Sequence, residues 1–246
     1  GRTLREKSAP YVELRPGITI SDSGVLRRAQ GCMLGHLCAD AILTARSTPE
    51  IPPAQGSPAQ PFPGQLRVHS ELGLTLARVL IDYGNYHRPH VREMYKGWLR
   101  SSPIHRPESL LGALTTQQVN SLPNHHAQRR YSDPLLRCAP LGVFGAFMAS
   151  EHIQRVALLD ASLTNALTEV QDVSAAFVAT LAFIIRTGAA PGEIIEFAQS
   201  LLDDSGLGTQ PSRAGHDRTA AYHAFNEALH QLQQTSSLRD ASMQAY

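Results

Sequence analysis

The sequence predicts an all-α protein: a single multi-helix domain of about eight to ten helices. Three observations carry that expectation. Apolar residues recur at spacings of three and four through most of the 246 residues, as they do on one face of a helix. No run shows the sustained apolar–polar alternation, bounded by turn signals, that marks a half-buried strand. Prolines gather at the ends and starts of the periodic segments, where a helix tolerates them.

The elements follow in order. Residues 1–20 are mixed, carry Pro10 and Pro16, and read as an extended arm, which leaves 21–246 for the helical domain. Ser21 or Asp22 can cap a helix through GVLRRAQGCMLGHLCADAIL. Gly31, Gly35 and Ala39 are four apart there and allow another helix a close approach, so a central buried helix is expected. STPEIPPAQGSPAQPFPG, residues 47–64, holds six prolines and is too long for a simple connector; such loops are often mobile or near a site. Leu72, Leu76, Val79, Leu80 and Tyr83 then share one face of a helix over 70–84, with Ser70 as its expected N-cap.

Pro89 opens a segment whose Val91, Met94, Tyr95, Trp98 and Leu99 form a stripe, and Pro107 can start ESLLGALTTQQV. PLLRCAPLGVFGAFMA (134–149) reads as two pieces interrupted at Pro140, with Asp133-Pro134 as a cap and first turn. EHIQRVALLDASL is helical, and Thr168 can cap TEVQDVSAAFVATLAFIIRT, which Gly188 ends. Pro191 sits in the first turn of GEIIEFAQSLLDD, and TAAYHAFNEALHQLQQ places Ala221, Phe225 and Leu229 on one face.

Composition narrows the function classes. Hydrophobic residues make up 42% and charged ones 17%, enough for a substantial core. A net charge of +1 gives no footprint for nucleic acid, and the Gln128-Arg129-Arg130 cluster reads as a solvated loop end. The longest apolar run, VSAAFVATLAFII, is thirteen residues long, short of a bilayer span, so no membrane is expected. Cys32, Cys38 and Cys138 make no CxxC pair and read as reduced, core-type thiols of a cytoplasmic protein. His125-His126 lacks a third ligand nearby and makes a poor metal site.

Four pieces then stand in a distinctive order: LRRAQGCMLGHLCADAI, the Pro/Gly loop running into VHSELGLTLARVL, YSDPLLRCAPLGVFGA, and LLDASLTNALTEVQDVSAAFVATLAFII. Together they resemble the ADP-ribosylglycohydrolase family, over roughly residues 22–240. The resemblance implies an all-α hydrolase fold that removes ADP-ribose from protein side chains with magnesium. It also implies an Asp-Asp pair at the start of the second helix, preceded by Ser or Thr and followed by Thr. Registering LTLARVL on that helix puts Val68 and His69 at the two aspartates, Ser70 at the threonine and Arg67 at the preceding hydroxyl. Further departures are Ser47 for a glutamate after the first helix, Tyr131-Ser132-Asp133 for Ser-Asn-Gly, and Asn165 for a histidine. The family's Gly-Gly-Asp-Thr-Asp-Thr segment does not follow AYHAFNEALHQLQQ before residue 246.

Magnesium needs oxygen ligands in near-octahedral array, which valine lacks and imidazole does not suit. The expectation is therefore an ADP-ribosylglycohydrolase-like protein of impaired catalysis, with no metal ligands and no cofactor. It would act by residual binding of ADP-ribose or an ADP-ribosylated protein, or through a protein partner. The candidate ligand-binding residues are Asp40, Ser70, Asp133 and Asn165; the catalytic candidates are His69, Glu71 and Asp133. Two alternatives stand beside it: an active hydrolase cleaving the N-glycosidic bond to a modified side chain, and changed chemistry with His69 as base and Glu71 or Asp133 orienting it. Asp40 is also expected in inter-helix hydrogen bonds, Arg137 in an ion pair and Cys138 in the core.

Overall fold

A computed structural model describes residues 20–47, 62–104, 107–115, 133–208 and 218–234. The N-terminal arm, most of the proline-rich loop, Gln128–Arg130, His125-His126, Tyr131-Ser132 and the residues after 234 lie outside the described residues. Ten helices and no strands occur among those described. They are α1 (Ser23–Ser47), α2 (Val68–Tyr83), α3 (Arg88–Arg100), α4 (Glu108–Thr115), α5 (Asp133–Arg137), α6 (Ala139–Phe144), α7 (Ser150–Ala161), α8 (Thr168–Thr187), α9 (Pro191–Asp204) and α10 (Ala220–Gln234).

The centre is α8. Val170, Val173, Ala175, Ala176, Val178, Ala179, Ala182 and Ile185 are all buried, so the helix is apolar around most of its circumference. By length and composition α8 could cross a membrane; in this fold α1, α5, α6, α7, α9 and α10 all pack on it. Gly142 of α6 permits one of these approaches, because a Cβ there would stand 2.6 Å from Leu181 Cβ. The expected central helix, α1, is instead peripheral. Of its described side chains only Val25, Asp40 and Thr44 are buried, Leu34 is 61% exposed, and a Cβ on Gly31 or Gly35 would meet nothing within 4 Å. Small residues permit close packing but bring little apolar area to drive it, whereas the branched side chains of α8 supply that area.

The ends of the helices follow local chemistry, with three corrections. Asp22, not Ser21, caps α1: its Oδ1 accepts the N–H groups of Gly24 at 2.7 Å and Val25 at 3.0 Å. Gly84 and Gly188 end α2 and α8 in the left-handed region, at φ 61° and 65°. The first correction is that the break between α5 and α6 falls at Cys138. Pro140 lies in the first turn of α6, where its missing N–H costs no helix bond. The second is that Leu167 is the N-cap residue of α8, with Thr168 already helical; the Leu167 N–H goes to Asn165 Oδ1 at 2.9 Å. The third concerns Ser70, which is not a cap. Arg67 is the residue at the N-cap of α2, and Ser70 is fully buried inside the first turn.

Candidate functional site

The start of α2 is tied to the end of α1 by Arg67. Its backbone is extended, at φ −98° and ψ 178°, and its side chain makes no cap bond. The Arg67 N–H donates to Asp40 Oδ2 at 2.7 Å, which explains why a carboxylate can be buried there. Its guanidinium reaches back to α1, Nε donating to Thr44 Oγ1 at 3.0 Å and Nη2 to the Leu43 carbonyl at 3.5 Å. Val68 follows, 4% exposed and without a polar atom in its side chain.

One helical step on, His69 turns toward α5. Its Nδ1 lies 3.6 Å from Asp133 Oδ1, long for a hydrogen bond but close enough for charge to matter. Glu71 is held otherwise, its Oε2 accepting the Trp98 Nε1–H from α3 at 2.7 Å. Ser70 faces the interior, with Oγ 3.5 Å from His36 Nε2 on α1. Gly73 lets these parts meet, since a Cβ there would stand 3.3 Å from the Arg137 carbonyl oxygen and 3.5 Å from His36 Nε2. Burial lowers the pKa of His36 from its usual 6.5; Asp40 opposes that shift and His69 adds to it.

A cleft of about 540 Å³ opens here, lined by the polar His36, Asp40, Arg67, His69, Glu71 and Asp133 and by the apolar Leu43, Ile104, Pro107 and Leu136. A volume of that order suits a small molecule. Of the sequence candidates, Asp40, His69, Glu71 and Asp133 converge on it. Ser70 lies just behind the wall, and Asn165 is spent elsewhere: it is 2% exposed and turns the chain into α8. His36 was missed by sequence reasoning. A signal existed, since His36 and Asp40 are four apart on one helix and share a face.

The pieces that carry the family resemblance meet in a second polar cluster, within the core. Arg137, from RCAPLG, donates through Nε to Asp160 Oδ2 at 3.0 Å and through Nη2 to the Asp160 carbonyl at 2.8 Å. Its Nη1 reaches Thr164 Oγ1 at 2.7 Å, and the guanidinium carbon stands 5.1 Å from the centre of the Tyr95 ring. Asp160, from DASLT, also accepts the hydroxyls of Tyr95 at 3.0 Å and Tyr86 at 3.4 Å. Burial alone would lower the Arg137 pKa, but Asp160, together with Tyr95 and Asp133, raises it overall. Cys138 beside them is buried, and burial raises its thiol pKa.

The sequence model of the ADP-ribosylglycohydrolase family matches residues 21–245. The chain belongs to that family. A solved structure described as an ADP-ribosylglycohydrolase-related protein complex shares the fold at a TM-score of 0.60. It is 16% identical, over 89% of this chain and 80% of that one. No curated protein matches the sequence.

The family fold implies magnesium, and the residues at this corner do not fit it. Val68 offers no donor, and His69 offers nitrogen where a hard cation takes oxygen. Among the described residues, no three of His, Cys, Asp and Glu gather as ligands for a metal ion.

Proposed function

We propose that this family member binds an ADP-ribose-type ligand in the α1–α2–α5 cleft and lacks magnesium-dependent hydrolysis. The observation that carries the reading is the start of α2, where Val68 and His69 face a cleft of ligand size. Residues in the register of an acidic pair thus remain at the cleft without the oxygens that would hold a hard cation. The cleft retains groups for a sugar–phosphate ligand. Carboxylates at Asp40, Glu71 and Asp133 can accept from ribose hydroxyls, and the first turn of α2 favours an anion. A cytoplasmic setting goes with this reading through the odd count of three unpaired thiols, although Cys138 alone of them is a core residue and Cys38 is exposed. Either free ADP-ribose or an ADP-ribosylated protein would serve as partner.

Calorimetric titration of the purified chain with ADP-ribose, with and without magnesium, tests the binding. Release of ADP-ribose from an arginine-modified protein tests the chemistry. The expected result is magnesium-independent binding and no release. Magnesium-dependent release that disappears in Asp40→Ala would restore the active hydrolase.

One observation favours a second reading, in which the cleft performs metal-free acid–base chemistry. Of the two acids that could orient His69, Glu71 is held by Trp98 and Asp133 stands 3.6 Å from the ring. Turnover in the presence of a chelator, lost in His69→Gln, would select that reading over simple binding.

A further inference from the structure

We propose that Arg67 is a built-in cation that closes the α1–α2 corner to divalent metal and makes that junction metal-independent. The proposal goes beyond the ligand reading and does not depend on what the cleft binds.

Arg67 precedes Val68, so it stands at the entrance of the segment registered with the acidic pair. Through one residue the end of α1 is joined to the start of α2 at three points: the Asp40 carboxylate, the Thr44 hydroxyl and the Leu43 carbonyl. Thr44 Oγ1 in turn donates to the Asp40 carbonyl at 3.0 Å, so the bonds form a connected set and not isolated contacts. The end of an α-helix carries excess negative partial charge in its last carbonyls, and a cation there is favourable. A guanidinium suits the place because it stays charged and presents several donors in a rigid fork.

Covalent attachment matters as much as charge. A tethered cation competes at high effective concentration, so a free ion would have to displace Arg67 before reaching the corner. The part of Arg67 that occupies the corner is its guanidinium, on Thr44 Oγ1 and the Leu43 carbonyl. The backbone N–H of residue 67 stays on Asp40 Oδ2 whatever the side chain, and Val68 supplies no donor. Restoring acidic residues at 68 and 69 would therefore be insufficient to recruit magnesium while Arg67 remains.

The test is thermal melting in magnesium chloride at millimolar concentration, against sodium chloride of matched ionic strength. Wild type and Val68→Asp/His69→Asp are expected to melt alike in both salts. Adding Arg67→Ser to that double substitution is expected to produce a magnesium-specific rise of about 2–4 °C. An equal rise in the double and triple variants overturns the proposal, as does no rise in either. Should the triple variant fail to fold, Arg67→Met and Arg67→Lys carry the test. Methionine is expected to lower the melting temperature and lysine, which keeps the charge, to recover most of the loss. Equal loss in both, or none in either, overturns the proposal.

Discussion

Two polar clusters, one in the core and one at the cleft, use their charges in opposite ways. In the core, Arg137 and Asp160 have fully buried side chains and are met by Thr164, Tyr86 and Tyr95, so every partner comes from the protein. In the cleft, His69 and Asp133 keep side-chain exposures of 24% and 13%, and their carboxylate–imidazole separation is 3.6 Å. Similar residue types thus hold the fold together in one place and face a ligand-sized opening in the other. The difference lies in burial and in completeness of pairing. A buried pair must be complete because an orphaned charge has no water to fall back on.

The largest expected effect breaks the closed cluster. Asp160→Asn leaves the Arg137 guanidinium buried without its counter-charge and should cost about 3–5 kcal/mol of stability. Urea denaturation checks it; a loss below about 1 kcal/mol would show that Asp160 is no more than a surface-type partner for Arg137.

The next effect separates the two faces of α2. Leu76 is fully buried in the main apolar cluster, and Leu76→Ala should cost about 2–5 kcal/mol through the cavity left behind. His69→Ala, on the cleft face of the same helix, should stay within about 1 kcal/mol of wild type. Under the binding reading, it should weaken ADP-ribose in calorimetry. If both substitutions destabilised equally, the cleft face would be part of the packed core.

Much of this contrast was legible in the sequence. Helical spacing gave the apolar face of α2 with Leu76 at its centre, and a charged residue between Leu136 and Cys138 implied a buried partner for Arg137. The identity of that partner was not legible, because Asp160 lies 23 residues away and only tertiary packing brings it in. Ser70 illustrates a different limit. A hydroxyl near a helix start resembles a cap in local pattern, yet the chain enters the helix two residues earlier. Arg67 and Asp40 settle that entry through a contact spanning 27 positions, beyond the reach of a local rule. For α1, spacing showed which residues could be approached closely but not whether a neighbour would come.

Acid should sharpen the comparison from the cleft side. The folded-state pKa of His36 is lowered, first by burial, so the unfolded chain takes up the proton more readily. Its contribution is therefore fully present above the unfolded pKa of about 6.5 and is lost as pH falls toward the lower folded value. Stability measured from pH 7 to pH 5 should fall, and His36→Gln should flatten that part of the curve. An unchanged slope in the variant would remove His36 as its source.

The smallest effect is the coupling between His69 and Asp133, and a double-mutant cycle with His69→Ala and Asp133→Asn isolates it. At 3.6 Å the pair is too long for a good hydrogen bond, and water reaches both side chains, so the expected coupling is about 0.2–1 kcal/mol. With the imidazole protonated, it should weaken further in high salt, since partly exposed charges are screened. The core pair should behave differently: Arg137 and Asp160 have 0% side-chain exposure and a 3.0 Å contact, so salt should leave their coupling nearly unchanged. A salt-insensitive His69–Asp133 coupling as large as the core pair's would mean that the cleft is closed to water. The two clusters would then have the same energetic character, and the case for a ligand site between α1, α2 and α5 would fail.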